Sequence, residues 1–160
     1  MVTIMKYFLC LLLTLSTTTI SYANGADWRK SGSDEEKLKK IIKVIPSTSD
    51  IMFQMGERYK NLYWAAKQGK WEFAEYQIEE MESLVKTLII TRPKRKQTAR
   101  NFLDYGFNGY EDAIESKNWI AFQKTFNNMR QACEHCHELN QHAFIKLQKT
   151  PIKGSSPVLD

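Results

Sequence analysis

The chain has 160 residues, with 23 lysines and arginines against 18 aspartates and glutamates, and its formal net charge is +5. This length suits one domain with one core, and the mild, scattered basic excess is not that of a nucleic-acid-binding protein. The three cysteines are too few for a framework of structural disulfides.

Residues 1 to 23 have the pattern of a secretory signal peptide. An apolar run follows Lys6, and the small residues Ser21 and Ala23 have the spacing that a signal peptidase requires. The run is shorter than the ~20 residues of a membrane-spanning helix, and threonine and serine interrupt it. We therefore expect cleavage after Ala23, export, removal of Cys10, and no membrane span after processing.

Helical periodicity dominates the rest of the chain, whereas sustained alternation of the strand type is nearly absent. The N-terminal extension, residues 24 to 47, is expected to hold a short helix that Ser33 and Glu36 cap and Pro46 ends. Ser49 is the expected N-cap of the next helix. The four longer helices are expected at about 50 to 68, 71 to 90, 96 to 115 and 119 to 148.

The short connections between the longer helices predict how they pair. Gly69–Lys70 and Lys117–Asn118 force the first two and the last two helices into antiparallel hairpins. The aromatic residues expected in the bundle core are Tyr59, Tyr63, Trp64, Trp71, Phe122 and Phe126. We predict an all-α protein, an antiparallel up-down-up-down four-helix bundle over residues 48 to 148, with a flexible tail at 149 to 160.

The stretch QACEHCHELNQ, residues 131 to 141, contains the pattern Cys-x-x-Cys-His. Cys133 and Cys136 fall on the core-facing stripe of the last predicted helix, and His137 follows directly. Two thiols one helical turn apart can add to the two vinyl groups at one edge of a haem, and the next histidine can bind the iron. We predict one covalent haem c, with Cys133 and Cys136 as thioether attachments and His137 as axial iron ligand.

Two other uses of these side chains are weaker. A zinc site needs four tetrahedral ligands, and the neighbours Cys136 and His137 are awkward co-ligands on one regular helix. A thiol–disulfide oxidoreductase places its first cysteine at the start of a helix among βαβ units, and no strands are predicted here. His135 is expected at the surface, and His142 at the surface or the haem edge, neither as a ligand.

With this motif near its end, the chain resembles the class II c-type cytochromes, monohaem four-helix bundles of the cytochrome c′ kind. Within that class it is most similar to exported bacterial members without an assigned role. The resemblance covers about residues 50 to 151 and rests on IMFQMGERYKNLYWAAKQGKWEFAEYQIEEM and ACEHCHELNQHAFIKLQKTP. It implies a periplasmic location, and homodimers through the first two helices occur in this class. Members often carry a histidine where this chain has Tyr59, so no role of that histidine is carried over.

The first long helix is the candidate source of a sixth ligand for the iron. His137 lies ~28 Å along the last helix at 1.5 Å per residue, which brings it level with residues 50 to 59 of an antiparallel neighbour. Met55 is the first choice as a sixth ligand and Met52 the second, with core packing as the other role open to both. Of the aromatic residues, only Tyr59 and Tyr63 are expected near the porphyrin.

Two functions agree with these expectations. The first is electron transfer through the haem, and the alternative is binding of nitric oxide or carbon monoxide at an open sixth position. No distal acid–base pair is evident in the sequence, so we do not expect an enzyme. The basic residues expected to steer an acidic redox partner protein are Lys94, Arg95, Lys96 and Arg100.

Overall fold

The computed structural model describes residues 27 to 154 and 156 to 159, so the predicted signal peptide, residues 1 to 23, lies outside the description. All regular structure in the described part is helical, which confirms the prediction of an all-α protein. These residues divide into a small unit that ends at Lys43 and a large unit that begins at Val44. No helix in the described ranges is both long and apolar enough to cross a membrane.

The small unit contains α1 (Asp34–Val44), which agrees with the predicted short helix. Its start is the predicted capping box. The Ser33 amide donates to Glu36 Oε2 at 2.9 Å, and the Glu36 amide donates to Ser33 Oγ at 3.3 Å. None of the residues of α1 is buried, so its apolar side chains contribute little to a core.

The described part of the large unit contains five α-helices. They are α2 (Thr48–Lys67), α3 (Trp71–Thr91), α4 (Lys96–Tyr105), α5 (Tyr110–Glu115) and α6 (Trp119–Leu139). The turn between α2 and α3 contains Gly69 at a φ of 74°, a conformation that favours glycine. α3 packs against α2, α4 and α5, and α6 packs against α2, α4 and α5.

A four-residue interruption divides the third predicted helix into α4 and α5. Gly109 has a φ of 81° and precedes the first residue of α5, so the regular helix cannot run through it. Phe107 lies in the interruption and is buried, with its ring centroid 5.2 Å from that of Phe102. The irregular turn therefore places an additional aromatic ring in the core.

The last predicted helix also differs from the structure, because α6 ends at Leu139 and not near residue 148. Asn140 caps this end, with its amide N–H and its side-chain Nδ2 both donating to the Cys136 carbonyl, at 3.2 and 2.7 Å. Gln141 then has a φ of 65°, which turns the chain out of the helix.

The segment predicted as a flexible tail, residues 149 to 160, instead packs along α2 over its described part. Trp64 Nε1 donates to the Pro151 carbonyl at 2.9 Å, and Gln68 Nε2 donates to the Leu159 carbonyl at 3.0 Å. The Leu159 side chain is fully buried. Hydrogen bonds and apolar burial therefore hold this segment, whose polar composition alone suggested a loose end.

The core is rich in aromatic rings, as predicted. Tyr59, Tyr63, Phe122 and Phe126 are buried, and Trp64 and Trp71 pack against them. The Phe122 ring is at the centre of this cluster, where its ring contacts are Trp71, Tyr110, Trp119 and Phe126. Such a cluster joins α3, α5 and α6.

Candidate cofactor-attachment site

Cys133, Cys136 and His137 lie in the second half of α6, and each is half-buried. The two thiols are not joined in a disulfide. All three side chains line the same cavity of about 40 Å³, whose other walls are apolar residues of α2, α3 and α4. The sequence motif therefore becomes one group of side chains on a common apolar space.

That space is one of three neighbouring cavities, with volumes of about 70, 40 and 150 Å³. Met52 and His137 line all three, and Met55 lines the second and third. Each cavity is smaller than the ~300 Å³ at which small-molecule sites usually begin. A group the size of a porphyrin would therefore need more space than any one of these cavities provides.

The walls are mostly apolar, as a site for an apolar group requires. The residues around the 40 Å³ cavity, besides the motif itself, are Met52, Met55, Val85, Leu88, Ala99 and Phe102. On the α2 side, Gly56 lines the 150 Å³ cavity, and a Cβ placed on it would meet no atom within 4 Å. A glycine inside a helix costs about 0.5–1 kcal/mol relative to alanine. Here it leaves open space beside the cavity.

His137 is oriented by the chain that follows α6. Its Nδ1 lies 3.2 Å from the carbonyl oxygen of Ile145. Because a carbonyl only accepts hydrogen bonds, this contact assigns the proton to Nδ1 and leaves the lone pair on Nε2. Metal-binding histidines commonly have such a second partner, so the donor chemistry fits an iron ligand.

Cys136 has polar neighbours that connect the end of α6 to the start of α4. Its Sγ lies 3.9 Å from the Thr98 carbonyl oxygen, and Asn140 Nδ2 lies 3.6 Å from the same sulfur. Arg95 Nη1 donates to Asn140 Oδ1 at 2.8 Å. Arg95, one of the predicted partner-steering charges, thus also holds the C-cap of α6.

Burial affects both thiols. It raises the pKa of Cys133 to about 12, with smaller contributions from Cys136 and Glu134. Burial also raises the pKa of Cys136. Thiol–disulfide oxidoreductases need a cysteine whose pKa is lowered at a helix start. Neither the pKa direction nor the position in α6 fits that alternative.

The other two histidines differ in how near they lie to His137. His135 is exposed and faces the α4 side of α6. His142 lines the 70 Å³ cavity, and its Nδ1 lies 2.6 Å from the Asn140 carbonyl oxygen. Across residues 27 to 154 and 156 to 159, no three His, Cys, Asp or Glu side chains converge to hold a bare metal ion.

Tyr59 lines the 150 Å³ cavity, whereas Tyr63 lines none of the three. The Tyr59 ring stacks on Phe126 with centroids 4.4 Å apart, and its hydroxyl donates to the Gln148 carbonyl at 2.6 Å. Burial raises the pKa of Tyr59, so the hydroxyl is protonated and can donate.

No sequence pattern pointed to Ile145 or Gln148, because both reach the site only after the chain turns back at Gln141. Comparison of the chain with family models, with curated proteins and with solved structures finds no match.

Proposed function

We propose that this protein is an exported monohaem c-type cytochrome that acts in electron transfer through a covalently bound haem. The observation that carries this proposal is the placement of Cys133, Cys136 and His137 on one apolar cavity that Met52 and Met55 line from α2. When bound, the haem supplies an iron that cycles between two oxidation states.

The chain itself would bind, orient and shield the group. Cys133 and Cys136 would provide the two thioether attachments, and His137 would bind the iron through Nε2, with Nδ1 held by the Ile145 carbonyl. The apolar walls exclude water. Met55 is the first choice for the sixth position and Met52 the second, since both line cavities that His137 also lines. No substrate is transformed, so the proposed role is not enzymatic.

We further propose that α2, α3, the α4–α5 pair and α6 form an up-down-up-down four-helix bundle. The short connections at Gly69 and at Lys117–Asn118 and the packing of α6 against α2 support this arrangement. In such a bundle the haem would lie between the first and last helices. Periplasmic export and an acidic redox partner protein complete the proposal.

The deciding experiment is a test for covalent haem. The full chain is produced in bacteria with the c-type cytochrome maturation apparatus, then denatured, washed and stained for haem. We expect the protein to retain haem and its reduced form to show a narrow α-band. The Cys133→Ser/Cys136→Ser variant should retain none, whereas His135→Ala, the matched control inside the motif, should retain it. A wild-type protein that loses all haem on washing would rule the proposal out.

A further inference from the structure

We propose that Glu134 is a positioning residue for His137, acting through the chain segment 145 to 148 that follows α6. The inference rests on the proposed function, because it concerns the orientation of the histidine assigned there to the iron. Glu134 and His137 are three residues apart on α6, so their side chains leave the helix on neighbouring positions of one face.

Glu134 holds the returning chain directly. Its Oε1 accepts a hydrogen bond from the Leu147 amide at 3.1 Å and another from Arg130 Nη1 at 2.7 Å. The side chains of Arg130 and Glu134 are only 12% and 20% exposed, so water competes weakly for these contacts. The Leu147 hydrogen bond is also the main reason that the pKa of Glu134 lies below its ordinary value.

Further contacts restrict the same segment on both sides of the Ile145 carbonyl. The Ile145 amide donates to the His142 carbonyl at 2.9 Å, and Tyr59 donates to the Gln148 carbonyl at 2.6 Å. Between these points the Ile145 carbonyl faces His137 Nδ1 at 3.2 Å. Glu134 and Tyr59 therefore determine where the acceptor for His137 lies, although neither touches His137 in a recorded hydrogen bond.

The orientation of a metal-binding histidine matters chemically. A carbonyl that accepts from Nδ1 keeps the ring in one tautomer and makes Nε2 a stronger donor. A stronger donor favours the more oxidised iron, so weakening this hydrogen bond should raise the reduction potential. This rise in potential would come from the changed position of the Ile145 carbonyl, and it would add to any rise caused by removing a negative charge.

The test compares Glu134→Ala with Glu138→Ala in the haem-bearing protein. Glu138 is exposed, is next to His137 and makes no recorded side-chain contact, so its removal controls for charge alone. We expect the potential to rise more for Glu134→Ala than for Glu138→Ala. Tyr59→Phe changes no charge and keeps the ring for stacking on Phe126, and it should raise the potential as well.

A second measurement follows the hydrogen bond itself. Exchange of the His137 Nδ1 proton with solvent, observed by NMR, should be faster in Glu134→Ala and Tyr59→Phe than in wild type or Glu138→Ala. Equal potentials for the two alanine variants, with unchanged proton exchange, would overturn the inference. If the chain proves to carry no haem, the proposed function fails, and the exchange measurement on the same chain still decides whether Glu134 positions His137.

Discussion

Met52 and Met55 are one helical turn apart on α2, and both line cavities that His137 lines from α6. Met55 is buried and Met52 half-buried, so solvent reaches more of the Met52 side chain than of the Met55 side chain. A methionine thioether as sixth ligand raises the potential of a c-type haem, which suits electron transfer. Single substitutions test whether either methionine binds the iron of the proposed haem.

Leucine at either position keeps most of the volume and removes the sulfur. We expect Met55→Leu to convert the ferric protein from low spin to high spin, with loss of the weak far-red absorbance. Met52→Leu should keep the low-spin spectrum. Absorption spectra of the two oxidised variants distinguish the two spin states.

The reverse pattern would assign the ligand to Met52. If wild type is already high spin and its spectrum shifts on adding carbon monoxide, the sixth position is open, and gas binding becomes the better function.

Phe122 is the residue on which the aromatic core depends most. It is 0% exposed and contacts four other rings. Phe122→Ala should lower the free energy of unfolding by about 3–5 kcal/mol, because it removes apolar burial and leaves a cavity. Urea denaturation measures this, with Ile120→Ala as the control on the same helix. Ile120 is 78% exposed, so its substitution should change stability by no more than about 0.5 kcal/mol. Equal losses in both variants would contradict this account of the core.

At the scale of single elements, the start of α2 shows which of two neighbouring serines caps the helix. Ser47, and not the predicted Ser49, is the N-cap, since the Asp50 amide donates to Ser47 Oγ at 3.1 Å. The Ser47 amide donates to Asp50 Oδ2 at 2.8 Å in return. Ser49 has Met52 three residues later, which cannot complete a capping box, whereas Ser47 has Asp50.

Ser47→Ala should therefore lower the free energy of unfolding by about 1 kcal/mol at neutral pH. Ser49→Ala is the matched control, because Ser49 is exposed and has no recorded side-chain hydrogen bond. Thermal or urea unfolding of both variants checks the assignment. A larger loss of stability for Ser49→Ala than for Ser47→Ala would support Ser49 as the N-cap.

The same capping box predicts a pH dependence. Hydrogen bonds from the Ser47 side chain and backbone lower the pKa of Asp50 below its ordinary value of 3.8. A lowered folded-state pKa stabilises the folded chain above pH ~4, and this contribution is lost as the pH falls through the folded-state value. The stability difference between wild type and Asp50→Asn, measured by urea unfolding, should shrink from pH 7 to pH 3. A difference that stays constant would exclude this linkage.

The interruption between α4 and α5 and the early end of α6 were not predicted, although both carry local signals. Gly109 and Asn140 are residues that favour helix ends, yet the apolar spacing on either side continues as if the helix ran on. Burial of Phe107 and the hydrogen bonds of Asn140 to Cys136 and Arg95 favour the interrupted form. Arg95 comes from another element and the burial of Phe107 depends on the packed fold, so periodicity within one segment could not reveal either.

At the scale of the whole molecule, the C-terminal segment adds to the core of the large unit. Leu159→Ala should lower the free energy of unfolding by about 2 kcal/mol or more, because the side chain is 0% exposed. Val158→Ala, at a neighbouring position that is 47% exposed, is the control. Urea unfolding of the two variants distinguishes a packed segment from a loose tail. Identical stabilities would favour the loose tail.

The surface charges near the site make a further prediction for the whole molecule. Lys94 is exposed next to Arg95, whereas Lys124 is exposed in the first half of α6. Lys94→Glu should slow oxidation of the reduced protein by hexacyanoferrate, an anionic oxidant, severalfold at low ionic strength. Lys124→Glu should slow it less, and high salt should remove the difference. If both variants are oxidised at the same rate at low salt, Lys94 does not steer acidic partners.

The sequence by itself determined the all-helical class and the three neighbouring residues Cys133, Cys136 and His137, because periodicity and a five-residue motif are local properties. The tertiary structure decided what surrounds them. Ile145 reaches His137, and Leu147 reaches Glu134, only because the chain turns back after α6, and Arg95 donates to Asn140 from outside that helix. Such contacts join residues distant in sequence, and burial and hydrogen bonding of the folded chain select them.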